Sequence, residues 1–228
     1  RFDNVGAESK SAHTHFGLGV FAAAATAAAT LAFVFALDRG YLTVAFAVTA
    51  MTTSIFAVVD KIPSLRAMVA ALGFVVLGRL AWDPHIVGAN GLGTTPILNW
   101  LLLGYGAPAA AFLGAGYMLK REKDDLAARI CDALGVLFAF LLVFFEIRHA
   151  LHGGDILAMS SGHVEIGLIA LLCFGGSFVL NRLDIGRSNV IFRAAALLAG
   201  VVAALISLVG LLLVDNPFFS GDRVLGPV

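Results

Sequence analysis

The residues best suited to chemistry in this sequence are a carboxylate, a guanidinium and an imidazole close together. Glu146, Arg148 and His149 follow a long apolar run. A carboxylate beside a histidine can act as general acid and base, and an arginine can bind a phosphate or carboxylate. With His152 they spread over about 160° of one helix face at 100° per residue. We therefore take Glu146, Arg148 and His149 as candidate catalytic residues.

Further polar residues extend this group toward the next apolar run. Gly153-Gly154 is predicted to end the helix, and ionisable groups at a membrane edge are functional candidates. The candidate binding residues are His152, Asp155, His163 and Glu165.

A structural role is the alternative for the same residues. Glu146 and Arg148 could pair with charges on neighbouring helices. Glu146 and His149, at positions i and i+3, could pair with each other. Glu165 would be stabilised by the dipole of the helix that it opens.

A metal site is conceivable but is not predicted. It would draw on His149, His152, Asp155 and His163, and a His-x-x-His spacing at a fraying helix end is a weak zinc signal. Cys131 and Cys173 lie inside apolar runs and are expected to be packing residues. We predict no metal and no cofactor.

Composition sets the environment of these residues. Of 228 residues, 60% are hydrophobic and 13% are charged, and the mean hydropathy is +0.94. Soluble domains carry about 25% charged residues, so lipid must solvate most of this chain. The net charge of zero gives no reason to expect a nucleic-acid partner. The lipid bilayer is the expected partner, and no small-molecule ligand can be named.

The hydropathy pattern predicts an all-α, polytopic transmembrane helical bundle. A spanning helix needs about 20 apolar residues. Thr95-Pro96 is predicted to cap the fourth span, and Pro108 to kink it. The seven predicted spans are Phe16–Leu37, Tyr41–Val59, Leu65–Trp82, Ile97–Leu119, Leu126–Phe145, Val164–Leu180 and Val190–Val214.

The distribution of basic residues predicts the orientation. Cytoplasmic connections are rich in Lys and Arg. The N-terminal side of the bundle holds eleven of the fifteen basic residues, namely Arg1, Lys10, Lys61, Arg66, Lys120, Arg121, Lys123, Arg129, Arg182, Arg187 and Arg193. We therefore expect the N-terminus in the cytoplasm and the C-terminus outside.

A similar motif follows the third and the seventh spans. Pro84 and Gly88 have the same spacing as Pro217 and Gly221, at an offset of 133 residues. The predicted organisation is a four-helix unit over residues 1–125 and a second, truncated unit over 126–228. The chain is expected to be a segment of a longer polytopic protein, whose remainder would be a partner.

Three motifs carry a family resemblance. They are Phe144-Phe145-Glu146-Ile147-Arg148-His149-Ala150-Leu151-His152-Gly153-Gly154, the run from Pro96 to Gly106, and Asn216-Pro217-Phe218-Phe219-Ser220-Gly221. The sequence resembles the large bacterial membrane proteins grouped as domain of unknown function 2339. The resemblance implies the bacterial inner membrane and a multi-span fold, and it implies no reaction.

Three functions remain open from the sequence. The first is a non-enzymatic module, either a scaffold or a part of a transporter-like array. The second is a membrane enzyme that acts on an envelope lipid or a lipid-linked glycan at an outward-facing Glu/Arg/His site. The third is a transporter with its substrate near Pro108. Whether the chain is an enzyme is left open.

Overall fold

The computed structural model describes residues 2–37, 39–82, 93, 95–158, 162–214 and 216. Seven of its helices are long and apolar enough to cross a membrane, which confirms the predicted fold class. The α-helices are α1 (Phe2–Ala36), α2 (Arg39–Val59), α3 (Pro63–Trp82), α4 (Ala107–Glu122), α5 (Leu126–Leu151), α6 (His163–Arg187) and α7 (Val190–Leu205). Two π-helical segments, Leu102–Gly106 and Ile206–Val214, extend the fourth and seventh spans.

The fifth and sixth spans end six and seven residues after their predicted last residues. The fifth was expected to stop at Phe145 and the sixth at Leu180, whereas α5 ends at Leu151 and α6 at Arg187. Hydropathy locates the apolar part of a helix, and helical hydrogen bonding continues into the polar residues beyond it. Gly153 and Gly154 follow α5 with φ of 60° and 104°, which confirms the predicted glycine stop.

The fourth span begins later than predicted, and its cap is a different residue. Ile97 has a φ of 69°, which is incompatible with a right-handed helix. The Oδ1 atom of Asn99 accepts a hydrogen bond from the Leu101 backbone N–H at 2.7 Å, so Asn99 caps the helix. The expected Thr95-Pro96 cap is wrong, because the Thr95 hydroxyl donates to the Leu98 carbonyl instead.

Pro108 lies in the first turn of α4, directly after the π-helical segment Leu102–Gly106. Proline has no backbone N–H and cannot complete the regular hydrogen-bond ladder. Local π adjustments are one way in which a membrane helix accommodates a proline. The helix is irregular in the turn before Pro108, and the kink at Pro108 stays a prediction.

The chain forms two compact units, and the first comprises residues 1–86 and 106–135. In it, α2 packs against α3 and α4, and α1 contacts α2 and α3. The core includes Phe46, Val69 and Phe112. Gly135 on α5 lies so close to α4 that an added Cβ would be 2.9 Å from the Leu113 backbone nitrogen. Small residues permit this kind of helix approach in membranes.

A polar cluster joins three elements of the first unit. The Arg66 Nε atom donates to Asp125 Oδ2 at 2.6 Å, and its Nη1 donates to Glu122 at 3.1 Å. Burial raises the pKa of Asp125, but the hydrogen bonds from Arg66 and from the Ala128 N–H outweigh burial and hold that pKa below its ordinary value. The α4–α5 connection is therefore held by a charged contact.

The second unit comprises residues 87–105 and 136–228. Helices α6 and α7 pack along their length, where Ser177 donates to the Ala196 carbonyl at 2.7 Å. Their connection is closed by Asp184, which accepts from the Asn189 N–H at 2.6 Å and from Arg193 Nε at 3.0 Å. Tyr105 is buried against Phe145, with ring centroids 5.1 Å apart.

Some predicted features lie outside the described residues. They include Pro84, Gly88, Pro217 and Gly221, which carry the repeat, so the four-helix repeat and its boundaries at 125 and 126 stay predictions.

Candidate functional site

The candidate site is built at the end of α5, within the second unit. Its residues come from the last two turns of α5, the connection after it, the first turn of α6, and the segment that precedes the fourth span. A helix of 26 residues is about 39 Å long, more than the hydrocarbon core of about 30 Å. The polar end of α5 is therefore expected at the membrane edge, where charged groups can be tolerated.

Three of the predicted residues form what we call the ion-pair cluster: Arg148, His152 and Glu165. Arg148 Nη1 donates to Glu165 Oε1, and His152 Nε2 donates to Glu165 Oε2 at 2.8 Å. The Glu165 side chain is 2% exposed and that of Arg148 is 13% exposed. Both carboxylate oxygens of Glu165 are thus bound by residues of α5 and its C-terminal turn, which ties α5 to α6.

The Arg148 guanidinium also holds the connection that follows α5. Its Nε donates to the Ile156 carbonyl at 2.7 Å, and its Nη2 donates to the Ala158 carbonyl. Each of its three nitrogens therefore has an acceptor within the chain. The sequence raised the expectation that Arg148 binds an anionic ligand group, and the contacts described here are those of a structural clamp.

The other two predicted catalytic residues form what we call the open pair: Glu146 and His149. Glu146 Oε2 accepts hydrogen bonds from the Ile97 N–H and from Asn99 Nδ2, both at 3.1 Å. Its other oxygen, Oε1, is buried and has no hydrogen-bond partner among the described residues. Glu146 thus docks the segment before the fourth span with one oxygen only.

His149 also contacts the segment before the fourth span, through the Nε2 atom of its ring. Its Nε2 lies 2.9 Å from the carbonyl oxygen of Gly93. A carbonyl only accepts, so Nε2 carries the hydrogen, and in the neutral ring Nδ1 is an acceptor. The side chain is 2% exposed, and Nδ1 is buried with no partner in the described part of the chain.

The open pair does not pair internally. The i, i+3 spacing had suggested a local hydrogen bond between Glu146 and His149. Since Glu146 Oε1 and His149 Nδ1 both lack partners among the described residues, that expectation is wrong. Each side chain reaches instead for a backbone group about fifty residues away in sequence.

Asp155 and His163 are placed differently from the rest of the predicted set. Asp155 is exposed, and its Oδ1 accepts from the Leu157 N–H at 3.0 Å within the connection. His163 is half-buried and is the first residue of α6, directly after the N-cap residue Gly162. Asp155 therefore shapes the loop after α5.

Metal binding needs three or four converging ligands. Where the structure describes the chain, no group of three or more His, Cys, Asp or Glu side chains is placed to hold a metal ion. His152 Nε2 is hydrogen-bonded to Glu165, whereas His149 Nδ1 is not. The two nitrogens therefore have different surroundings.

Sequence analysis missed three contributors to the site. They are Asn99, the Ile97 N–H and the Gly93 carbonyl. Asn99 precedes the apolar run Trp100–Leu103, and asparagine is a favoured N-cap residue, so its capping role could have been found. The backbone groups carry no sequence signal, because they belong to every residue type.

The open pair offers two buried acceptors one helical turn apart. A carboxylate oxygen and an unprotonated imidazole nitrogen are also the two atoms that acid–base chemistry would use. The site can therefore receive a hydrogen-bond donor or transfer a proton. The ion-pair cluster beside it is already satisfied by its own members and by the loop.

The family model described as "Predicted membrane protein (DUF2339)" matches residues 7–228. The match covers nearly the whole chain, so this protein belongs to that family, and the resemblance found in the sequence is confirmed. No curated protein and no solved structure matches the chain.

Proposed function

We propose that this member of the DUF2339 family of predicted membrane proteins is a non-enzymatic module of the bacterial cell envelope, serving as a scaffold or as part of a transporter-like array. The observation that carries the proposal is the ion-pair cluster. Its Arg148 and Glu165 side chains join α5 to α6, and Arg148 also holds the loop between them. Such contacts fix a bundle, and they engage the Arg148 guanidinium that a substrate anion would need.

The proposal includes the inner membrane and an orientation with the N-terminus in the cytoplasm. The support for it is the excess of Lys and Arg in the connections on that side. Single cysteines at Lys123 and Asp155, in a background with Cys131 and Cys173 replaced, would test it with an impermeant thiol reagent in spheroplasts. Labelling at 155 and protection at 123 is the expected result, and the reverse would overturn the orientation.

The non-enzymatic role predicts that no membrane metabolite depends on the open pair. We would compare envelope lipids and lipid-linked glycans by mass spectrometry in strains that carry the intact protein, its deletion, Glu146→Gln, or His149→Gln. Gln at 146 keeps an oxygen for Ile97 and Asn99, and Gln at 149 keeps an N–H for the Gly93 carbonyl. Matched lipid profiles for intact and variant proteins, at equal membrane levels, are expected.

The open pair favours a second candidate function. A membrane enzyme that acts on an envelope lipid or lipid-linked glycan would use Glu146 Oε1 or His149 Nδ1 as its general base, and both atoms are free of partners among the described residues. In that case each single variant would reproduce the metabolite change seen on deletion. This outcome would replace the non-enzymatic proposal with the enzymatic one.

A further inference from the structure

We propose that the open pair binds a primary ammonium group, between Glu146 Oε1 and His149 Nδ1. The inference rests on the proposed function for the location of the site at the membrane edge, and it adds the chemical class of the ligand. Two sources share this chemistry: the headgroup of an aminophospholipid and a free amine.

The hydrogen-bonding roles of the two atoms lead to this ligand. His149 Nε2 is committed as a donor to the Gly93 carbonyl, which leaves Nδ1 as an acceptor. Glu146 Oε2 receives both donors available to that carboxylate, which leaves Oε1 as a second acceptor. A single ligand that satisfies both acceptors, which lie one helical turn apart in sequence, must carry at least two N–H or O–H donors.

Charge favours an ammonium over a neutral hydroxyl group. Glu146 forms no ion pair within the described ranges, and its two partners are neutral N–H groups. The Glu146 side chain is half-buried and its Oε1 atom is fully buried. Withdrawing a carboxylate oxygen from water without a counter-charge is unfavourable. The nearby guanidinium of Arg148 is bound to Glu165. An ammonium supplies both the missing positive charge and three N–H donors.

The site is assembled around these atoms and is not an incidental surface feature. The His149 side chain is almost fully buried, with 2% exposure. The segment that covers the pair is anchored by three hydrogen bonds to it, and Ile97 adopts a left-handed conformation where it donates to Glu146. A β-branched residue rarely takes that conformation, and such outliers persist where surrounding contacts impose them.

The test uses the full chain in nanodiscs and measures lipid retention by native mass spectrometry. The probes are phosphatidylethanolamine, whose ammonium carries N–H donors, and phosphatidylcholine, whose trimethylated nitrogen carries none. We expect the chain to retain phosphatidylethanolamine and to discriminate against phosphatidylcholine by about tenfold or more, since a charge-assisted hydrogen bond is lost for each N–H removed. Equal retention of the two lipids would overturn the proposal.

Two variants keep the segment docked while they alter the site. Glu146→Gln turns the free oxygen into an N–H donor and removes the charge, and His149→Gln removes the Nδ1 acceptor. Each should weaken retention by about tenfold. Glu122→Gln, which removes an exposed carboxylate from the first unit, is the matched control and should bind as the intact chain does. Unchanged retention in both site variants, with unchanged thermal unfolding, would also overturn the proposal.

Free ethanolamine separates the two sources. The competitor is used at 10 mM, on the order of a weak-ligand dissociation constant. If ethanolamine displaces the lipid, the site binds the ammonium group alone. If it does not, the site requires the lipid-borne headgroup, provided that phosphatidylethanolamine is retained. These outcomes are independent of the metabolite comparison, so a failure of ammonium binding and a failure of the non-enzymatic role can be told apart.

Discussion

The ion-pair cluster and the open pair both draw residues from the C-terminal end of α5, and each contains a carboxylate. Glu165 is buried on α6, and Glu146 is half-buried on α5 with its Oε1 atom buried. Glu165 is matched by a guanidinium and an imidazole, so both of its oxygens are bound. Glu146 is matched only by neutral N–H groups, and one oxygen stays without a partner among the described residues. Adjacent acids on one scaffold have thus been given opposite environments. A protein gains rigidity from the first arrangement, and the second is useful only if something else completes it.

The largest effect should come from breaking the ion-pair cluster. Arg148→Ala leaves the 2% exposed Glu165 carboxylate with His152 as its remaining side-chain partner. The expected loss is about 3–5 kcal/mol of unfolding free energy. Thermal or denaturant unfolding in nanodiscs measures it. The double variant Arg148→Met with Glu165→Leu should recover most of the loss, because no unpaired charge remains. A loss under about 1 kcal/mol for Arg148→Ala would mean that the Arg148–Glu165 pair stabilises the protein no more than an exposed salt bridge does.

A smaller effect should come from the contact that joins the open pair to the fourth span. Asn99→Ala removes the helix cap at Leu101 and the bond to Glu146. We expect a loss of about 1–2 kcal/mol. Asn99→Ser retains a capping oxygen and loses only the bond to Glu146, so it should recover about half. If the alanine and serine variants unfold alike, the cap contributes nothing.

The Arg66–Asp125 contact in the first unit extends the comparison to pH. The pKa of Asp125 lies below its ordinary value of 3.8, so its contribution is complete above that pH and is lost as the pH falls through the folded-state pKa. Between pH 6 and pH 3 we expect the stabilisation from this contact to fall, because protonation of Asp125 breaks its pairing with Arg66. Asp125→Asn should lack this component of the pH dependence. A variant with the same acid sensitivity as the intact chain would contradict the assignment.

The smallest effect on stability should come from the open pair itself. Glu146→Gln keeps an acceptor for Ile97 and Asn99, and the side chain that it changes is only half-buried. We therefore expect a change within about 0.5 kcal/mol, measured by the same unfolding experiment. A loss comparable with that of Arg148→Ala would mean that Glu146 is a structural ion like Glu165, and the distinction between the two groups would fail.

The fold was predictable because each membrane helix is specified by the hydropathy of its own stretch of sequence. Runs such as Tyr41–Val59 carry their own signal, since lipid selects apolar residues continuously along the span. The polar residues of the site were also visible, because charge at a membrane edge is conspicuous. Their partners were not, because the choice between Glu146–His149 pairing and docking of a distant segment depends on tertiary contacts. The Asn99 cap was masked by the stronger Thr95-Pro96 signal.

The amide of Asn99 has a consequence for communication within the second unit. Its oxygen starts a helix and its nitrogen binds the acid of the open pair, so one rigid planar group serves two events. Thermodynamic linkage then requires reciprocity: whatever a ligand on Glu146 does to the helix start, the helix start does to ligand affinity by the same factor. The Leu101 N–H donates to Asn99, so its hydrogen-exchange rate should change when a ligand binds Glu146. The exchange rate at the start of this helix would then measure the occupancy of the open pair.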